Sequence, residues 1–245
     1  MGGMNVNIEQ LIDSSRPFLN WLVDWHNSRP VVELAAILEK AGGADKVAVL
    51  AVDVTSGFCS EGALASERVA AIVEPVVRLF QRAYELDVRH FVLPQDTHSE
   101  DALEFSSFPP HCVRGSAEAS TVPELTNLPF SDQFLIIEKD TISSSINTEL
   151  DGWLEGHPEV TTFLVVGDCT DFCVYQLAMY LRLRANALGQ RGVRVIVPLE
   201  GVDTFDIPVD VAQEIGALPH HGDLMHLIFL YGMAQNGVEI AAKAV

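Results

Sequence analysis

Val160-Thr-Thr-Phe-Leu-Val-Val-Gly-Asp-Cys-Thr-Asp-Phe-Cys173 is the stretch whose reading decides the fold. Its first half is an apolar, β-branched run of strand length. Its second half is a polar turn that opens into Val174, Leu177, Ala178 and Leu181, spaced as one face of a helix. A strand running directly into a helix is half of a βαβ unit. The pattern repeats on both sides. Strands are expected over residues 46–53, 88–95, 133–139, 160–167, 193–199 and 237–242. Helical spacing occupies residues 66–87, 146–155, 171–189, 208–215 and 223–235. Strands this continuously apolar are buried on both faces, and helices between them make the connections parallel. The expected architecture is therefore a three-layer α/β/α domain around a central, mostly parallel six-stranded sheet.

Residues 5–43 read differently. Ile8, Leu11, Ile12, Phe18, Leu19 and Leu22 recur at helical spacing, Pro30 interrupts them, and residues 31–40 resume the pattern before Ala41-Gly42-Gly43 ends it. This predicts an N-terminal helical extension over residues 1–44 and an α/β domain over residues 45–245. Trp21 and Trp25 predict that the extension packs on the body or on a second subunit.

Composition excludes several functions. The chain has 245 residues, 34 of them acidic and 15 basic, for a net charge of −19. A field of that sign repels phosphate backbones and anionic lipid, so nucleic acid and membrane surfaces are not expected partners. With 48% hydrophobic residues the chain can fill a sizeable core, which excludes global disorder. Four cysteines are too few for a disulfide-built scaffold. No apolar block of signal-peptide or membrane-span type is present, and a cytoplasmic location is expected. Only four lysines occur, so one next to an apolar strand stands out.

In parallel α/β sheets the site lies at the carboxyl ends of the strands. Those ends collect Asp53, then Gln95-Asp96-Thr97-His98, then Glu138-Lys139-Asp140, then the turn from Gly167 to Cys173. With Thr170 as helix cap, Cys173 would sit in the first turn, where helix dipole and free N–H groups favour a thiolate and can hold an oxyanion. A small residue packing helix against sheet would look the same, as would a solvated strand-end lysine at Lys139. The convergence of Asp53, Lys139 and Cys173 is the stronger signal, since acid, base and nucleophile together can carry acyl transfer. The irregular stretch from Asp96 to Leu128 adds Asp96, His98, Glu104 and His111, a set suited to zinc, manganese or iron, or to a hydrogen-bonded loop. Cys112, adjacent to His111, fits a shared tetrahedral site poorly. His220, His221 and His226 flank a helix start and could bind metal, but a capping and solvated role is expected.

Three segments carry a resemblance. They are Val49-Leu-Ala-Val-Asp53 with Gly57-Phe-Cys-Ser-Glu-Gly-Ala-Leu64, Asp96-Thr-His98 through Phe108-Pro-Pro-His-Cys-Val-Arg-Gly-Ser116, and Val166-Gly-Asp-Cys-Thr-Asp-Phe-Cys-Val174. Over roughly residues 46–205 the chain resembles the isochorismatase-like cysteine hydrolases, and among them the nicotinamidases. The resemblance implies a catalytic triad of Asp53, Lys139 and Cys173. It implies metal ligation by Asp96, His98 and His111, with Glu104 at a variable fourth position. It also implies a cis peptide between Asp168 and Cys169, and an oxyanion hole from the N–H groups of Cys169 and Cys173. The implied reaction is hydrolysis of a small aromatic or heterocyclic amide to acid and ammonia through a cysteine thioester. A divalent metal, zinc first and manganese or iron as alternatives, would orient the substrate. A homo-oligomer, dimer or tetramer, is expected.

The first motif departs from the nicotinamidase pattern Asp-x-Gln-Asn-Asp-Phe: Thr55 replaces the glutamine and Gly57 the second acid. Phe108 stands where a tryptophan often covers the ring, leaving Phe58 and Phe108 as an aromatic wall. Two other readings share the fold. A vinyl-ether hydrolase of isochorismatase type would lack the cysteine and the metal loop. A non-catalytic binding protein would be compatible with the altered first motif and the extension.

Overall fold

Six strands lie where the apolar runs predict them in the computed structural model, which describes residues 6–245. They are β1 (Val47–Val52), β2 (His90–Asp96), β3 (Phe134–Lys139), β4 (Thr162–Asp168), β5 (Arg194–Pro198) and β6 (Glu239–Ala241). Their spatial order is β3-β2-β1-β4-β5-β6, and every neighbouring pair is parallel. A two-residue strand, Val202–Asp203, pairs with the end of β4 and makes the sheet seven-stranded. Two residues carry no periodicity, so this strand leaves no sequence signal. The strand order reverses between β1 and β4. That switch point, at the carboxyl ends, is where such sheets form a crevice.

All six residues of β1 are buried, and they alternate between two cores. Val47, Val49 and Ala51 face a layer containing α2 (Leu34–Ala41) and α3 (Val73–Glu85), whereas Ala48, Leu50 and Val52 face α4 (Cys173–Ala187) and α5 (Gly222–Gln235). This is the period-two geometry of a strand read from both sides. The helix expected over residues 66–87 is two pieces, Glu67–Ala70 and α3. On the edge strand β3, Ile136 and Glu138 are exposed while Ile137 and Lys139 are buried. Strand alternation therefore carries Lys139 inward at the carboxyl end. Among the described residues no helix is long and apolar enough to cross a membrane.

The extension is sewn to its own body. Helix α1 (Ile8–Asn27) is capped by the Asn7 side chain, which accepts from Gln10 N–H at 3.1 Å. Its Phe18, Trp21 and Trp25 surround Tyr231 of α5, with ring centroids 5.3, 5.6 and 6.1 Å away. After Pro30, Val31–Val32 pairs in parallel with Lys243–Ala244, so the segment after α1 and residues 243–244 form a small sheet of their own. Leu34, Ile37 and Leu38 of α2 then enter the main core. Because Leu34 is fully buried, Leu34→Ala is expected to cost about 2–5 kcal/mol. Urea unfolding measures it, and an unchanged midpoint would show that α2 is not part of the cooperative unit.

Candidate active site

β1, β2, β3 and β4 end side by side, and each end delivers one functional group. Asp53 follows β1 in the left-handed region, φ 57°, a conformation that aspartate tolerates better than most residues. Its Oδ1 accepts from Asp96 N–H at 2.8 Å, which ties the ends of β1 and β2 together. Asp96 pairs directly with Lys139 across β2 and β3. At the end of β4, Gly167 has φ 115°, and a Cβ there would lie 1.9 Å from Val52 O. Only glycine allows β1 and β4 to close up at this point. The peptide joining Asp168 and Cys169 is cis.

Lys139, with a fully buried side chain, is the hub. Its Nζ lies 2.8 Å from Asp53 Oδ2, donates to Asp96 Oδ1 and to Thr141 O (3.3 Å), and sits 3.6 Å from Cys173 Sγ. Burial alone would lower its pKa, but the charges of Asp53 and Asp96 hold it well above the ordinary lysine value. Burial, assisted by the charge of Asp96, pushes Asp53 up to about 6 in spite of Lys139. Burial would likewise raise Asp96, yet Lys139, with the imidazoles of His111 and His98 close by, keeps that carboxyl below the usual range.

Cys173 is the first residue of α4, as its placement at the helix start predicts, but two details differ. Phe172, not Thr170, precedes the helix. Thr170 is fully buried, and its Oγ1 shares a hydrogen bond of 2.9 Å with His226 Nδ1. The helix start would favour a thiolate, but the surroundings of the sulfur act the other way. Burial first, with the charges of Asp53 and Asp96, raises the Cys173 pKa well above the ordinary thiol value, and Lys139 offsets this only in part. Helix-end effects of about 0.3–1 kcal/mol are too small to reverse that. The N–H groups of Phe172 and Val174 both donate to Cys169 O. Those of Cys169 and Cys173 have no acceptor among the described residues.

Beside this triad lies a second cluster. Asp96, His98 and His111 bring one ligand atom each to within 4.8 Å of one another, all three side chains being buried. Asp96 Oδ2 faces His98 Nε2 at 3.6 Å and His111 Nε2 at 3.7 Å, while its Oδ1 serves Lys139. The two rings are fixed from behind: His98 Nδ1 is 2.9 Å from Asp140 Oδ1, and His111 Nδ1 is 2.8 Å from Pro109 O. Such contacts place the proton on Nδ1 and leave the Nε2 lone pair free, the usual arrangement behind a ligating histidine. His98 Nε2 is buried with no hydrogen-bond partner, as expected of a ligand atom awaiting a cation. The donor set fits a divalent metal.

Glu104, expected as a fourth ligand, is not brought into this cluster. It lies half-exposed on the 3-10 turn Leu103–Ser106, and the next residue, Phe105, is the one whose ring faces His98 and His111, at 5.3 and 5.7 Å. Cys112 turns away from the metal set, its Sγ 3.7 Å from Thr55 Oγ1. That sulfur also accounts for Gly57: a Cβ there would meet Cys112 Sγ at 2.6 Å and Glu118 O at 3.0 Å. No room remains at Gly57 for the acid of the nicotinamidase pattern.

Phe58 and Phe108 both approach His111, at 5.5 and 6.3 Å, and Phe108 meets Phe172 edge-on at 6.2 Å. Phe172 escapes the sequence reading although it adjoins Cys173. It continues to Phe205 in a stacked pair at 6.0 Å. His221 caps α5 as expected, but His220 and His226 do not. His220 Nε2 is 2.8 Å from Asp171 Oδ2 and its Nδ1 is 2.8 Å from Phe205 O. Together the His220–Asp171 and His226–Thr170 contacts hold the turn from Cys169 to Cys173 from its outer side.

Comparison with known proteins agrees with this geometry. The sequence profile of the isochorismatase domain matches residues 47–216. Nicotinamidase 1 of Arabidopsis thaliana is 31% identical over 220 residues, spanning 80% of this chain and 86% of the relative. Among solved structures, the nicotinamidase from Bacillus subtilis superposes with a TM-score of 0.63 at 22% identity, covering 80% of this chain and 99% of that one. The pyrazinamidase of Pyrococcus horikoshii, solved in complex with zinc, superposes with a TM-score of 0.58 at 22% identity, covering 80% and 98%.

Proposed function

The chain belongs to the isochorismatase family, and from that premise we propose that it is a cysteine amidohydrolase acting on nicotinamide or a related small heteroaromatic amide. The observation that carries the reading is the buried contact set in which Lys139 reaches Asp53, Asp96 and Cys173 at once. The relative named nicotinamidase supports the amide, and the aromatic side chains of Phe58, Phe108 and Phe172 suit a flat ring.

The resting site holds a thiol, a carboxylate and an ammonium. As the amide carbonyl approaches, Asp53 takes the Cys173 proton, and sulfur attacks the carbonyl carbon. Lys139 offsets the negative charge of the two carboxylates while the proton moves. The N–H groups of Cys169 and Cys173, which no protein acceptor engages, receive the carbonyl oxygen as it becomes an oxyanion. Asp53 then returns the proton to the amide nitrogen, and ammonia leaves a thioester. Water, deprotonated by Asp53, hydrolyses the thioester and restores the thiol. A pKa near 6 lets Asp53 act both as base and as acid near neutral pH.

Asp96, His98 and His111 would hold a divalent metal, of which zinc is the leading choice given the zinc complex of the Pyrococcus relative. Bound there, the ion would offer a Lewis-acidic anchor for a ring nitrogen, with three protein ligands as in catalytic sites. His98→Ala is expected to reduce bound metal at least about tenfold by elemental analysis. Glu104→Gln is expected to leave it unchanged. The reading itself is tested by ammonia release from nicotinamide, pyrazinamide and a panel of small amides, with isochorismate as a separate arm. Ammonia from a heteroaromatic amide is expected. Pyruvate from isochorismate with no ammonia from any amide would contradict it.

A further inference from the structure

We propose that the end of the sheet opposite the thiol is a binding site for a phosphate-bearing small molecule with a ring-sized body, of the mononucleotide class. A cleft of about 430 Å³ there is lined by Lys40, Lys46, Thr162, Arg191 and Arg194, with Glu159 as its acid. Acids outnumber cations 34 to 15 in the chain, yet here four cations meet Glu159 and, held by Arg194, Glu239, and two of the four lysines are among them. In a protein of net charge −19, such a local reversal of sign is where an anion would concentrate.

The strand register builds the cleft. Thr162 pairs with Val47 on one side and with Arg194 on the other. Lys46, which immediately precedes Val47, stands one residue lower, where its carbonyl accepts from Thr161 N–H at 3.0 Å. Two buried donors in this row have no partner. Thr162 is fully buried and its Oγ1 makes no hydrogen bond. Arg194 holds Glu239 with Nε and Nη2, each at 2.7 Å, while its buried Nη1 makes none. Buried polar atoms are rarely left unsatisfied, and a hydroxyl and a guanidinium N–H on register-paired residues are donors that phosphate oxygens would satisfy. Lys40, Lys46 and Arg191 form no ion pair among the described residues and can close over the anion.

A second cleft of about 230 Å³ adjoins the first and shares Pro158, Thr161 and Arg191 with it. Leu154, Val160, Phe163, Leu181 and Val193 supply its apolar lining, and His157, Arg184 and Gln190 its polar lining. A ring would lie there with its phosphate in the cationic half. The strand β4 separates Thr162 from Asp168 by about 20 Å at the usual rise per residue, so this site is distinct from the triad.

Calorimetric titration of the full chain with AMP at low ionic strength tests the proposal, with adenosine and inorganic phosphate as separate arms. Saturable AMP binding is expected, at least about tenfold tighter than either half alone and weakened by added salt. The double variant Lys46→Gln/Arg191→Gln is expected to weaken it about tenfold or more while amide hydrolysis stays unchanged. Thr162→Val, nearly isosteric, is expected to weaken it severalfold with the fold intact by circular dichroism. Absence of saturable AMP binding at millimolar concentration would overturn the site. So would AMP binding no tighter than its halves, or binding that both variants leave unchanged.

Discussion

Lys139→Met is expected to abolish amide hydrolysis and to lower stability by about 3–5 kcal/mol. The side chain is fully buried between Asp53 and Asp96, so methionine fills much of the volume and leaves two carboxylates facing each other without a counter-charge. One of them must then take up a proton. Asp53, already raised to about 6, is the one that will, and a protonated Asp53 cannot accept the thiol proton. Urea unfolding measures the stability loss, and ammonia release measures the activity. Adding Asp53→Asn to Lys139→Met removes one of the opposed charges. The double variant is expected to recover stability without recovering activity. Full activity in the single variant would show that the ammonium has no part in the reaction.

Cys173→Ala is expected to reduce turnover by at least about 10⁴-fold, the scale on which removing a nucleophile acts. The variant should fold and bind metal as the parent does, because Asp96, His98 and His111 form their cluster without the sulfur. This separates it from Lys139→Met, in which stability falls as well. A residual rate within tenfold of the parent would move the nucleophile elsewhere.

The sheet is legible in the sequence because both of its faces are covered. β1 and β4 read as unbroken apolar runs for that reason, and the carboxyl ends of β1, β2, β3 and β4 then point to Asp53, Asp96, Lys139 and Cys173 without any tertiary information. Spacing alone also brings forward Asp96, His98 and His111. What the sequence hides are choices made across space. Thr170 looks like a cap, but His226, 56 positions away, claims its hydroxyl. His220 looks like a solvated residue at a helix start, but Asp171, 49 positions away, claims its ring. Between Glu104 and Phe105, composition favours the acid as the metal neighbour, whereas a single 3-10 turn decides for the ring. The resting charge of Cys173 is hidden too, since it depends on burial and on two carboxylates delivered by other strands. The cationic cleft stays invisible for a related reason: Lys46, Thr162 and Arg194 are neighbours only through strand register.

The account rests on a bond between Cys173 and the acyl group of an amide. Acid-quenched samples from the first turnovers with nicotinamide, followed by peptide mass spectrometry, test it most directly. The predicted result is a transient mass gain equal to the substrate less ammonia, confined to the peptide that carries Cys173 and absent from Cys173→Ala. Ammonia release at the full rate with that peptide unmodified at every time point would contradict it.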